Sequence, residues 1–329
     1  METNKIEISQ KTILFTIGAI LSLWFLYQVR SIVVLLFIAF ILMTAVNPLI
    51  KLAKKIKIPT IVVMLIVYFG LIALISTVVA SLVPALVQQT KDLTLVLPTY
   101  MHNIEVVLNA QFDPNVIGGY LNSIPSNLLK IAGGVFSNIM GVLALFFMSY
   151  YMVLERPHLH TYLIRFFDNK NAEAQAEELV LSIERQVGGW VRGELFLMLI
   201  IGVMTYIGLF LLGVPYSLPL AVLAGLLEAV PNLGPTIAAI PAIIIGLTVS
   251  PMIALGTLIL SIVIQQLENN LIVPKVMQSA TGTKPLATII VLLVGFTLGG
   301  IAGAILSMPI FLTLQTIYKA FSPSLGGRS

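Results

Sequence analysis

Across residues 286–317 the chain carries no charged side chain for more than thirty positions. Comparable apolar runs occupy residues 12–29, 31–49, 60–83, 131–154, 195–213, 220–246 and 251–271. A helix needs about 20 apolar residues to cross the hydrocarbon core of a bilayer. The runs are continuous and do not alternate with a period of two, which excludes an outer-membrane barrel. Charged residues make up only 10% of the 329 positions, against about 25% in soluble domains, so no water-facing surface can be built. The chain therefore reads as an all-α integral membrane protein, a polytopic helical bundle. Its net charge of +4 orients it in a membrane and gives no reason to expect a nucleic-acid partner. Cysteine is absent, which removes disulfides and thiolate metal sites.

The basic residues set an orientation. Lys51, Lys54, Lys55 and Lys57 form the densest cluster, and such loops stay cytoplasmic. That places the N-terminus inside and makes Arg30 a tight outer turn between two spans. The other reading of Arg30 is a position within one long tilted helix. The span 60–83 is expected to stop at Pro84. In the outer region, 85–130, Leu93, Leu97, Tyr100, Ile104 and Leu108 follow helical spacing. A cytoplasmic insertion fills 155–192, with an apolar stripe at Leu179, Ile183 and Val187 on an otherwise charged helix. Gly189 and Gly193 then allow either close helix contact or a flexible entry into the next span. We divide the chain into a scaffold, 1–194, and a core, 195–329. The two ends are expected on the cytoplasmic side.

Only two acids remain in the core, Glu228 and Glu268, and both lie in or beside hydrophobic segments. Ionisable groups at membrane depth are costly and mark functional sites. Glu228 opens the stretch Glu228-Ala-Val-Pro231-Asn232-Leu-Gly234-Pro235. Its two flanking prolines would end one half-helix and start another, freeing backbone groups that survive only against protein or a wet cavity. Two topologies compete for 220–246: a full crossing, or a hairpin entering from outside. The hairpin keeps Lys275 and Lys284 inside and requires a second, inverted hairpin at 286–317. Inverted repeats of broken helices are how many carriers form a midplane site. Gln265, Glu268 and Asn269 share one face at i, i+3 and i+4 and are the expected partners of Glu228, lining a polar cavity. A helix end among lipid headgroups is the plainer account of these residues. Gly295, Gly299, Gly303 and Ser307 recur every fourth residue and suit close helix packing.

No histidine–glutamate metal motif, phosphate loop or nucleophile elbow is present. We therefore expect neither enzyme, metal nor cofactor, and a gradient as the energy source. A carrier, an oligomeric channel and a membrane scaffold are the three classes that remain.

Together, the Glu228–Pro235 stretch, Gln265-Gln-Leu-Glu268-Asn269, Pro274-Lys-Val-Met277, Pro285 and Gly299-Gly300-Ile-Ala-Gly303 before Pro309 resemble the autoinducer-2 exporter family of bacterial permeases. The likeness extends over nearly the whole chain. It implies a multi-pass transporter of the bacterial cytoplasmic (inner) membrane, with lipid, a small-molecule or ion substrate, and further copies of the chain as partners. It also implies either export of an autoinducer-2-like polar signal or sodium (lithium)/proton antiport. Amides at Asn232, Gln265 and Asn269 would suit the former, and the two glutamates the latter.

Overall fold

The computed structural model describes residues 10–108, 130, 133–134, 139–167, 171–230, 234–283 and 285–322. Among these the backbone is helical almost throughout, without strands. The helices are α1 (Gln10–Gln28), α2 (Arg30–Lys55), α3 (Thr60–Leu108), α4 (Ile139–Glu155), α5 (Ala172–Leu211), α6 (Ser217–Leu227), α7 (Gly234–Val249), α8 (Pro251–Leu267), α9 (Val273–Thr281) and α10 (Pro285–Phe321). Among the described residues, five segments are by length and composition apolar enough to cross a membrane: Arg30–Lys55, Thr60–Gln88, Ala172–Leu211, Pro251–Met277 and Leu286–Phe321.

The expected turn at Arg30 is not found. Arg30 begins α2, and its guanidinium lies over the Tyr27 ring, 4.1 Å from the centroid. Helical hydrogen bonds continue across the joint, from Val29 N to Phe25 O and from Val33 N to Val29 O, both 3.0 Å. Val29 alone departs from helical geometry, at φ −91° and ψ 6°. Nothing near Gln28-Val29-Arg30 breaks a helix, so the chain bends there without reversing. The argument for an N-terminus on the lysine side rested on that reversal.

The expected stop at Pro84 is also absent. The 49-residue α3 runs straight through it, spanning about 74 Å. One proline removes a single donor, and it projects from the exposed side of the helix. Leu93 to Leu108 are helical as their spacing predicts, but as part of α3. The Asp113-Pro114 and Ser123-Ile124-Pro125 stretches, whose prolines are expected to end that helix, lie outside the described residues.

The described part of the fourth apolar run is α4. It packs on α2 and α3 through Val46, Ile50, Met64 and Phe146. Tyr68 fixes this contact, its hydroxyl 2.7 Å from Ser149 Oγ. After two short 3₁₀ turns the chain enters α5, one 40-residue helix. There is no flexible entry at Gly189 and Gly193: both are buried. Val187, Trp190 and Val191 pack there against Met308 and Leu312 of α10, with Phe40 and Ile41 of α2 alongside. The boundary drawn at 194 falls inside this helix.

Of the two courses open to 220–246 the backbone takes the hairpin, and α10 folds back on itself as well. Helices α6, 11 residues, and α7, 16 residues, are too short to cross a hydrocarbon core of about 30 Å. They turn back on each other between Leu227 and Gly234 and lie against α3 through Val78, Leu82 and Leu220. In α10 the ladder breaks at Gly299 (φ −139°, ψ 17°) and Gly300 (φ 59°, ψ −144°). The two arms then fold together: a β-carbon placed on Gly295 would lie 2.5 Å from the Gly303 carbonyl oxygen and 2.5 Å from Ser307 Cβ. In a straight helix residues eight apart are about 12 Å apart along the axis. The small residues are thus not one continuous stripe. Gly295, Gly303 and Ser307 face across a hairpin, whereas Gly299 sits at its turn with nothing within 4 Å of its would-be β-carbon.

Candidate ion and substrate site

Helix pairing brings three distant glutamates to one level. Helices α5 and α6 are antiparallel at close range. A β-carbon on Gly225 would be 2.6 Å from the Met198 carbonyl oxygen, and one on Gly202 would be 3.4 Å from that of Ala221. Continuing this register one turn sets Glu194 of α5 beside Glu228, the residue that caps α6. Helices α7 and α8 are antiparallel as well. The Cα of Ala254 would touch a β-carbon on Gly246 at 3.2 Å, and Thr236 donates to Gln265 Oε1 at 2.8 Å. The same count sets Glu268, at the end of α8, level with the α6–α7 tip. The hairpin closes tightly there, because a β-carbon on Gly234 would be 2.6 Å from the Glu228 nitrogen.

All three carboxyls are sealed. Glu194 is 4% exposed, and Glu228 and Glu268 are 0% exposed. Their six oxygens have no hydrogen-bond donor among the described residues. No salt bridge reaches them there either; the ion pairs are Arg156–Glu184 and His160–Glu173. Each is close enough to feel another: Glu194 interacts with Glu268, and Glu228 with both. Several like charges cannot stay ionised together out of water without compensation. The cluster therefore needs a proton or a cation. Among the described residues, no three His, Cys, Asp or Glu side chains are grouped to hold a metal ion.

The backbone departs from α-helix at this point. Glu268–Ile272 form a π turn between α8 and α9, a wider coil often found at functional positions. It swings Glu268 inward while Asn269 and Asn270 become exposed. Asn270 then bonds back to Gln266, with Nδ2 2.9 Å from both the Gln266 carbonyl and Oε1. The shared face expected of Gln265, Glu268 and Asn269 is therefore split. Gln265 turns to Thr236, Glu268 to the other glutamates, and Asn269 outward. Gly234 and Pro235 are buried at the start of α7. Pro231 and Asn232 lie outside the described residues. Among the described residues Glu228 and Glu268 face no open polar cavity in this conformation, being 0% exposed. Next to the tip, Thr205, Ala224, Pro235, Ala238 and Ser261 border a void of about 20 Å³, room for one water.

Glu194 did not figure among the candidates. It follows a charged insertion and was grouped with it. Its signal was nonetheless in the sequence, since Val187, Trp190, Glu194, Leu197 and Ile201 recur at helical spacing and all are buried. An acid on an otherwise apolar stripe marks a buried polar site.

The profile of the family described as "AI-2E family transporter" matches residues 13–322. The chain belongs to this family. Two relatives carry the name "Putative transport protein". YueF of Bacillus subtilis (strain 168) is 27% identical over 306 residues, 85% of this chain and 82% of its own length. YhhT of Escherichia coli (strain K12) is 27% identical over 297 residues, 87% and 83% of the two chains. The resemblance carried by the Glu228–Pro235 and Gln265–Asn269 stretches thus holds for nearly the whole chain. This AI-2E family member is a multi-pass membrane protein of a transporter family, and its acidic cluster lies where its two broken elements, the α6–α7 tip and the π turn, meet α5.

Proposed function

We propose that this AI-2E transporter is a secondary carrier of the bacterial cytoplasmic membrane, in which Glu194, Glu228 and Glu268 exchange protons or monovalent cations as the molecule alternates its access. The observation that carries this reading is the gathering of three buried carboxyls from α5, α6 and α8 without a fixed cation. A structural ion pair would supply its own counter-charge, whereas a coupling site leaves that place to a mobile ion. Their sealed state corresponds to an occluded intermediate, from which either side must open. Proton exchange needs only this cluster, and sodium or lithium would need its carboxyls to draw together, since here they are not grouped to hold a metal ion. An autoinducer-2-like solute needs amide contacts in addition, yet Gln265 is engaged by Thr236 and Asn269 points away. Ion exchange is therefore the first reading, with a small polar solute as the cargo it would drive.

The division into a scaffold, 1–194, and a core, 195–329, becomes one of role. Helix α2 holds the N-terminal half of α5, and the core hairpins pivot on it. Assembly of several copies is part of the same proposal.

The test is reconstitution of the full chain in proteoliposomes. Sodium- or lithium-driven proton flux is measured beside autoinducer-2 flux, for the wild type and for Glu228→Gln and Glu268→Gln. Loss of flux, or of its pH dependence, in both folded variants is the expected result. Undiminished, pH-dependent flux in both would end the coupling role. Single-channel currents in place of saturable exchange would mark a pore instead.

A further inference from the structure

A second polar site lies away from the glutamates, near the lysine-rich end of the bundle. Asn47 and Lys51 of α2, Arg156 of the first 3₁₀ turn, and Glu184, Arg185 and Arg192 of α5 line a cavity of about 290 Å³. Three separate chain segments thus bring four cations to one hollow, against a single carboxylate. That carboxylate is already taken, with Glu184 Oε2 accepting from Arg156 Nε at 3.0 Å and also from its Nη2. Lys51, Arg185 and Arg192 have no acidic partner among the described residues. Gly188 shapes the floor. A β-carbon there would meet Arg192 Nη1 at 3.2 Å and Thr44 Cβ at 3.7 Å, so the glycine leaves the guanidinium room to lie along the helix.

We propose that this cavity binds a phosphate group, held by Lys51, Arg185 and Arg192 with Asn47 as a further donor. Guanidinium forks match phosphate oxygens, and charge-assisted bonds of this kind are the strong ones. Three unpaired cations fixed near one another repel, and an anion is what relieves them. The apolar side chains beside the cavity indicate how the group arrives. Leu49, Leu52, Leu154 and Leu181 are 49%, 62%, 47% and 42% exposed. Leu181 lines the cavity, and Leu49, Leu52 and Leu154 lie within two residues of its lining residues Pro48, Lys51 and Arg156; basic pockets between membrane helices take anionic lipid headgroups. Free phosphate offers the same chemistry without the acyl contact.

The full chain, purified in a zwitterionic detergent, distinguishes the sources. Phosphatidylglycerol, phosphatidylcholine and inorganic phosphate are each titrated while bound molecules are counted by native mass spectrometry and the melting temperature is followed. Binding of phosphatidylglycerol, with a rise of about 3 °C or more, supports a lipid source. An equal rise with inorganic phosphate supports a free anion. Either response should vanish in Arg185→Gln/Arg192→Gln and weaken in Lys51→Gln, while Lys54→Gln/Lys55→Gln, nearby but outside the cavity, keeps it. All four side chains changed in the two double variants are exposed, so folding is not at stake. The proposal is overturned if neither phosphate compound binds, if phosphatidylcholine does as well as phosphatidylglycerol, or if the Lys54/Lys55 variant loses as much as the arginine variant.

Discussion

At the level of single residues, the acidic cluster decides most. Glu228 and Glu268 stood out in the sequence because they are acids among apolar neighbours, and the bilayer makes that arrangement costly. Glu194 is hidden by its neighbours, since it closes the scaffold half just after the charged insertion. Asn269 was misassigned for a different reason. Counting i, i+3 and i+4 assumes a regular helix, and a π turn starting at Glu268 cannot be read from side-chain spacing. The prediction here concerns Glu194→Gln. It should cut ion-driven flux about tenfold or more, about 1.4 kcal/mol of barrier for each factor of ten, measured in proteoliposomes beside the wild type. The same change replaces a buried carboxyl lacking a donor by a neutral amide, so its melting temperature should not fall. Wild-type flux from Glu194→Gln would remove α5 from the site.

The elements follow from lengths and breakers. Pro231 and Pro235 foretold the first hairpin, and its arms are too short for any other course. The second was partly obscured, because glycines and a serine every fourth residue suggest one packed stripe. They are brought together instead by a reversal at Gly299-Gly300. Gly300 lies at φ 59° and ψ −144°, a region that side chains with a β-carbon avoid at about 1–3 kcal/mol. Gly300→Ala should therefore destabilise by about that amount. Gly295→Val meets the Gly303 carbonyl and should cost about 1–3 kcal/mol or more. Gly299→Ala, with open space around it, should be nearly neutral. Thermal unfolding of the three variants in detergent reads this order directly. If Gly299→Ala proves the most damaging, the hairpin is wrong. Apolar length alone could not show that α3 passes Pro84, since one proline is as compatible with a bend as with an end.

For the whole molecule, the alternation of spans and hairpins fixes which ends share a side. If α2 ends inside, as its lysines lead us to propose, α5 would end outside, the α6–α7 hairpin would return outside, and α9 and the end of α10 would lie inside. Single cysteines at Lys54, Lys275 and Lys319 should then react with a membrane-impermeant thiol reagent from the cytoplasmic side. Cysteines at Tyr216 and Met252 should react only from the opposite one, and there is no native thiol to interfere. Reaction of Lys275→Cys and Tyr216→Cys from one side would exclude this arrangement. Net basicity pointed to the inner face, but the placement of the N-terminus needed the geometry at Val29. The sealed glutamates carry a last consequence for bookkeeping of ions. Bare, the cluster is trapped: swinging it across the bilayer uncompensated would strand negative charge in oil. If the proposed exchange holds, such a vehicle could not make its return journey empty, and leakage should stop whenever the far compartment offers nothing to ride back.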